Sequence, residues 1–277
     1  MIIDVKWDDP IPANDRVAQY GDGCFTTMCV SDGKIELFNN HLQRLQHSCQ
    51  RLHIEFADWD KLQRHLKERA KNIHHGVLKA IISRGTGGRG YSTSGVTEAR
   101  CYVSQNDMPS HYPMQRKQGI CLAMSEIKLA AQPQLAGIKH CNRLEQVLIK
   151  IALDKTHYDD VIVCDYQGHV IESSIGNLFW RKENTWMTPL LNNCGVSGVM
   201  RNHILTLMKS NNINVLESNF AIDDLIGCDA MFVCNSLMKL VPVKEIMIQQ
   251  QRQLLNIEFV SSLVWLTDNL HEVSECE

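Results

Sequence analysis

The hydrophobic period of this chain switches repeatedly between two residues and about 3.6, and that alternation excludes any all-helical or all-strand architecture. Short runs rich in strand formers, Ile2–Val5, Phe25–Val30 and Lys34–Phe38, precede a segment whose Leu42, Leu45, Cys49 and Leu52 fall on one helical stripe. A second helix is expected over Trp59–Ile73, then a strand over Gly76–Ser83, a glycine-rich turn (RGTGGRGYS, Arg84–Ser92) and a strand over Ala99–Ser104. The polar, proline-containing stretch Asn106–Gln118 reads as a linker. The second half repeats the mixture. A strand is expected over Gly119–Ser125, and a helix over Asn142–Thr156 with Leu144, Val147, Leu148 and Ile151 on one face. Strands follow at Asp160–Cys164 and Leu178–Arg181, then a helix from Gly198, a strand over Ala230–Ser236 and a C-terminal helix over Val260–His271. The expected class is α+β in two domains, a small N-terminal one over 1–110 and a larger C-terminal one over 111–277. No internal repeat is visible, which sets solenoids and propellers aside.

At 277 residues, with 44% apolar and 21% charged, the chain can bury a core of ordinary size. Its formal charge of −3 gives no electrostatic reason for a nucleic-acid or anionic-membrane partner. No run of about 18 apolar residues suggests a membrane span. The first ten residues, MIIDVKWDDP, lack the basic start and apolar run of a secretory signal. The eleven cysteines are an odd number with no CxxC pair, so neither a metal site nor a disulfide framework is expected. A reducing, cytoplasmic compartment follows.

Four local patterns carry chemistry. Lys139 stands before an expected helix start with Asn142 as its N-cap. That position is the positive end of a helix, where an uncharged amine able to act as nucleophile or base is favoured. A solvated loop lysine is the alternative. Glu172 precedes small polar residues and an apolar strand; it is either a turn acid or a carboxylate holding a proton on a heterocyclic nitrogen. Gly195-Val-Ser-Gly198-Val199 opens a helix whose first amides could bind phosphate, without the Gly-Lys-Ser ending of a nucleoside-triphosphate loop. A plain helix start is the alternative there. Arg44 interrupts an apolar stripe and is suited to a two-pronged phosphate contact or to a surface ion pair. In the turn after Ser83, Arg89 and Tyr91 could grip a carboxylate, or the turn is a plain hairpin.

In order and spacing, Gly21-Asp-Gly-Cys-Phe-Thr-Thr27, His41 to Leu45, Ile138-Lys139 with Asn142, Glu172 to Asn177, Gly198 to Arg201 and Asn235-Ser236 resemble the fold type IV pyridoxal-phosphate enzymes, which are D-amino acid aminotransferase-like. Within that family, GDGCFTT, SRGTGGRGYS and LAGIKHCNRLEQVL are most similar to the aminodeoxychorismate lyase branch. The resemblance implies a two-domain α+β fold, a homodimer and pyridoxal 5′-phosphate as cofactor. It implies that Lys139 is the amine joined to the cofactor and the catalytic base, Glu172 the acid facing the pyridine nitrogen, and Arg44, Gly198, Val199, Asn235 and Ser236 the phosphate contacts. The implied reaction converts 4-amino-4-deoxychorismate into 4-aminobenzoate and pyruvate, within folate biosynthesis. A branched-chain or D-amino acid aminotransferase on the same fold is the other expectation. Where many of the aminotransferases carry tyrosine and glutamate after the GDG turn, this chain has Phe25 and Thr26. If a strand follows, Phe25 and Thr27 point to one side, where a ring and a hydroxyl suit a cyclohexadiene substrate.

Overall fold

The computed structural model describes residues 6–7, 10–96, 98–268 and 270. Its internal contacts form two units. The first draws on Met1–Met108, Ile138–Asn142 and Asn269–Glu277; the second comprises Pro109–Gly137 and Arg143–Asp268. Lys139 therefore belongs with the first unit, not with the larger C-terminal domain in which the sequence reading put it. The reason is backbone pairing: the Phe25 N–H donates to the Lys139 carbonyl at 2.9 Å and the Cys141 N–H to the Gly23 carbonyl at 3.0 Å.

The first unit contains β1 (Lys6–Trp7), α1 (Arg16–Tyr20), β2 (Gly23–Ser31), β3 (Lys34–Ile35), α2 (Phe38–Arg51), α3 (Trp59–Ala70), β4 (His75–Ser83) and β5 (Arg100–Asn106). Its sheet runs β1-β5-β4-β2-β3. It is antiparallel apart from the β1/β5 pair. Leu45 and Cys49 of α2 and Leu62 and Leu66 of α3 are buried with Met28, Leu78 and Ile82 of the sheet, as helical stripes facing one side of alternating strands should be. The expected strand Lys34–Phe38 stops at Ile35. Leu37 turns left-handed (φ 50°) as the N-cap of α2, so Phe38 is already helical. The expected strand Ile2–Val5 lies outside the described residues.

The second unit contains α4 (Tyr112–Gln118), β6 (Ile120–Met124), α5 (Leu144–Leu153), β7 (Asp160–Cys164), β8 (Val170–Ser173), β9 (Asn177–Lys182), β10 (Thr185–Pro189), α6 (Val199–Ser210), β11 (Val215–Ser218), β12 (Ala230–Asn235), β13 (Lys239–Ile248), β14 (Gln251–Leu254) and α7 (Ile257–Ser261). One mixed sheet runs β11-β10-β9-β12-β13-β6-β7-β8, with β14 beside β13. Phe179 and Phe232 stack in its core at 4.7 Å between ring centroids, beside the fully buried Trp180.

Two expectations are corrected in this unit, and the shared face expected for the third helix is present but exposed. The stretch read as a linker contains α4, because Pro113 sits in its first turn, where a missing N–H costs nothing, and Tyr112 is buried. The expected C-terminal helix is the short α7 followed by a 3₁₀ turn at Val264–Thr267, and its last part lies outside the described residues. The apolar stripe of α5 faces outward: Leu144, Val147, Leu148 and Ile151 are each at least half exposed, while Ile149 and Leu153 make the core contact. Periodicity reports that a helix has an apolar face and is silent on what covers it.

The described cysteines are free, and Cys24, Cys29, Cys49, Cys101, Cys164, Cys194, Cys228 and Cys234 are buried. Burial pushes the thiols of Cys194, Cys228 and Cys234 up to about 12. Among the described residues no helix is long and apolar enough to cross a membrane.

Candidate active site

In the first unit, the segment Ile138–Asn142 is held as an extra partner of β2, with an isolated antiparallel bridge between Cys24 and His140. The Lys139 Nζ lies 4.9 Å from the centroid of the Phe25 ring. Lys79 Nζ, from β4, lies 4.7 Å from the same centroid. Lys79 stands directly opposite Thr27 in the β2/β4 register. Phe25 and Thr27 are both half-buried and Thr26 between them is fully buried, which is the alternation the sequence suggests. One side of β2 thus gathers an aromatic ring, a hydroxyl and two lysine side chains. Lys79 was not singled out by the sequence analysis. The one signal for it is a charged residue interrupting the apolar strand Gly76-Val-Leu-Lys79-Ala-Ile-Ile-Ser83.

Asn142 does not cap α5. That position falls to Arg143, which makes no side-chain capping bond, and the Asn142 Nδ2 donates instead to the Gly21 carbonyl at 3.1 Å. The carboxamide ties the lysine-bearing segment to the turn that opens β2.

Thr26 points to the opposite face of β2, toward α2. Its Oγ1 lies 2.6 Å from His41 Nδ1 and accepts from Arg44 Nη2. Burial holds the His41 imidazole well below its ordinary value, and the Arg44 charge adds to the effect. Burial also lowers the Arg44 guanidinium, to about 10. Its Nε is buried with no hydrogen-bond partner among the described residues. A buried cation donor without an acceptor costs free energy that an anionic ligand would recover. Arg89 is exposed, and Tyr91 is 87% exposed and meets Tyr20 edge-on at 5.5 Å.

In the second unit, Glu172 is the third residue of β8, with 6% exposure, and its Oε2 accepts the Val196 N–H at 2.9 Å. Asn177, at the start of β9, donates from Nδ2 to the Val196 carbonyl, also at 2.9 Å. Val196 is thereby fixed from both sides, directly before the start of α6. Gly198 is the N-cap of that helix and supplies no side-chain cap, so the first amides, Val199 among them, receive no capping bond from it. A Cβ at Gly198 would lie 2.2 Å from Asn177 Oδ1. Only glycine fits. Asn235 forms a tight turn: its Oδ1 accepts from the Leu237 and Met238 amides at 2.9 and 2.8 Å, and its Nδ2 donates to the Ile175 carbonyl at 3.1 Å. Ser236 is half-buried in the same turn. Arg201 is spent on structure, donating to Thr188, to the Pro189 carbonyl and to Glu217.

Of the residues singled out from sequence, Lys139, Phe25, Thr27, Arg44, Arg89 and Tyr91 belong to the first unit, and Glu172, Gly198, Val199, Asn235 and Ser236 to the second. The donor set fits pyridoxal phosphate on three counts. In the first unit a lysine amine lies against an aromatic face and Arg44 carries a buried Nε with no hydrogen-bond partner among the described residues; in the second, a buried carboxylate is held by a backbone amide, and the start of α6 has no side-chain cap, as a phosphate-binding helix end would. Among the described residues no group of three or more His, Cys, Asp or Glu is placed to hold a metal ion.

The family described as Amino-transferase class IV matches residues 23–246. The aminodeoxychorismate lyase of Vibrio harveyi is 39% identical over 236 residues, spanning 85% of this chain and 87% of that protein. The crystal structure of 4-amino-4-deoxychorismate lyase from Pseudomonas aeruginosa superposes with a TM-score of 0.88 at 30% identity, over 96% of this chain and 98% of that one. The branched-chain amino acid aminotransferase of Escherichia coli shares the fold, with a TM-score of 0.79 at 20% identity over 93% and 88% of the two chains.

Proposed function

Since the chain belongs to the amino-transferase class IV family, we propose that it is a pyridoxal 5′-phosphate-dependent aminodeoxychorismate lyase, converting 4-amino-4-deoxychorismate to 4-aminobenzoate and pyruvate for folate synthesis. The observation that carries this reading is the Lys139 amine set against the Phe25 ring, in a chain whose strong similarity to the Vibrio harveyi lyase runs over most of its length. When bound, the cofactor supplies an electron sink for the pair released from the substrate C4–H bond. Lys139 would hold the cofactor through its amine, and the same amine would act as the base that takes the C4 proton of the substrate. Glu172 keeps a proton on the pyridine nitrogen. Arg44, Gly198, Val199, Asn235 and Ser236 hold the phosphate.

Loss of the C4 proton and departure of the neighbouring C3–O bond, with pyruvate leaving as its enol, make the ring aromatic. That gain favours elimination over transamination. Phe25 and Thr27 face the substrate ring, and Lys79, Arg89 and Tyr91 meet its two carboxylates. The active species is a homodimer. Four exposed apolar residues at helical spacing on α5, Leu144, Val147, Leu148 and Ile151, support a face that a second copy covers. Free, buried thiols suit a reducing compartment, here the cytoplasm.

The test is product analysis on aminodeoxychorismate, following pyruvate and 4-aminobenzoate together. Equimolar formation of both is expected from the wild type and none from Lys139→Ala. Conversion of an amino acid and 2-oxoglutarate to the swapped pair, with aminodeoxychorismate untouched, would establish an aminotransferase instead.

A further inference from the structure

The glycine-rich turn after β4 is exposed from Gly87 onward, and several of its carbonyls are gripped by one guanidinium. Arg16 opens α1 with only 4% of its side chain exposed. Its Nε donates to Asp22 at 2.7 Å, which fixes the plane of the fork. The remaining donors are spent on carbonyls of the turn: Nη1 to Gly90 at 3.2 Å, to Ser92 at 3.1 Å and to Gly87 at 3.5 Å, and Nη2 to Tyr91 at 3.4 Å. The Arg16 N–H also donates to the Gly85 carbonyl at 2.9 Å. The base of Arg16 is immobile in turn, because Asp15 is fully buried and accepts from the Val17 amide, the Tyr102 hydroxyl and Ser83.

Four residues of the turn are therefore tied to one side chain, and a fifth to the backbone of the same residue. The two residues whose side chains are long enough to reach a ligand, Arg89 and Tyr91, project from it into solvent. A loop of this composition has high chain entropy when free, so fixing it beforehand removes an ordering cost from ligand binding. We propose that Arg16 is a positioning residue for substrate recognition: it clasps the turn in the conformation that presents Arg89 and Tyr91 to an anionic substrate. This rests on the lyase reading for the identity of the substrate, a dicarboxylate.

Two substitutions open the clasp from opposite sides. Arg16→Lys keeps the charge beside Asp22 and loses the planar fork. Gly88→Ala, on the exposed turn, places a Cβ 2.3 Å from the Ser92 carbonyl and 3.0 Å from Arg16 Nη1 at φ +72°, so the turn has to lift off. In both holoenzymes the amides of 87–92 should exchange with deuterium about tenfold faster or more, and KM for aminodeoxychorismate should rise about tenfold with kcat nearly unchanged, the signature of lost binding rather than lost chemistry. Wild-type exchange rates in the turn, or faster exchange with an unchanged KM, would overturn the proposal. A fall in kcat at constant KM would do the same. Should Arg16→Lys fail to fold, Gly88→Ala decides alone. Absence of turnover by the wild type refutes the lyase reading, whereas turnover with unchanged KM in the variants refutes the clasp only.

Discussion

Replacing Gly198 by alanine tests whether the start of α6 is held in place by Asn177. The backbone at this position (φ −69°, ψ 139°) accepts alanine without strain, so the effect comes entirely from the added methyl. It would sit 2.2 Å from Asn177 Oδ1 and 3.4 Å from Asn177 Cγ. Asn177 is 5% exposed and has to move, breaking its 2.9 Å bond to the Val196 carbonyl. Two costs follow: about 1–3 kcal/mol for buried polar groups left unpaired, and about 1–3 kcal/mol for forcing extra volume into a packed site. Against them stands a gain of about 0.4–1 kcal/mol from the stiffer unfolded chain. Even the smallest costs together exceed the largest gain, so a net loss of about 1 kcal/mol or more is expected. Urea unfolding of wild type, Gly198→Ala, Asn177→Ala and the double variant measures it. With Asn177 shortened the methyl has room, so the second substitution should cost much less in that background. A stable Gly198→Ala protein, or the same penalty in the Asn177→Ala background, would refute the reasoning.

Glu172→Gln keeps an acceptor for the Val196 amide and loses the negative charge; turnover should drop roughly 10²-fold or more while the bound cofactor's absorbance persists. Near-normal rates would exclude Glu172 as the acid at the ring nitrogen. The His41 imidazole, held below its ordinary value by burial, is neutral in the folded protein where the unfolded chain would bind a proton. Its contribution is therefore complete above about pH 6.5 and declines as pH falls toward the lower folded value, by about 1.4 kcal/mol per pH unit. The stability gap between wild type and His41→Asn should shrink as pH falls below about 6.5, and parallel pH curves would show that His41 does not titrate this way.

Elements whose stripe faces a core were legible in the sequence. Leu45 and Cys49 of α2 and the alternation of Phe25, Thr26 and Thr27 fall where their spacing requires. Failures came where a tertiary contact took over a local role. Asn142 has the chemistry of a helix cap and is used to hold the Gly21 carbonyl, 121 positions away, which no local pattern encodes. Leu37 ends a run of strand formers because it turns left-handed as the N-cap of α2. The candidate site was legible as residue types, since amine, acid and uncapped helix start each leave a local trace. Its support was not: the two-sided hold on Val196 by Glu172 and Asn177, and the grip of Arg16 on the turn, pair residues far apart in sequence.

The free thiols also determine how the protein meets oxidants. With Cys194, Cys228 and Cys234 pushed up to about 12, roughly one thiol in 10⁵ at each is ionised at pH 7, and only the ionised sulfur attacks a peroxide or an alkylating agent. These sulfurs act as small hydrocarbon-like fillers. At these three positions a residue type that looks like a redox liability in the composition becomes, once folded, inert filler.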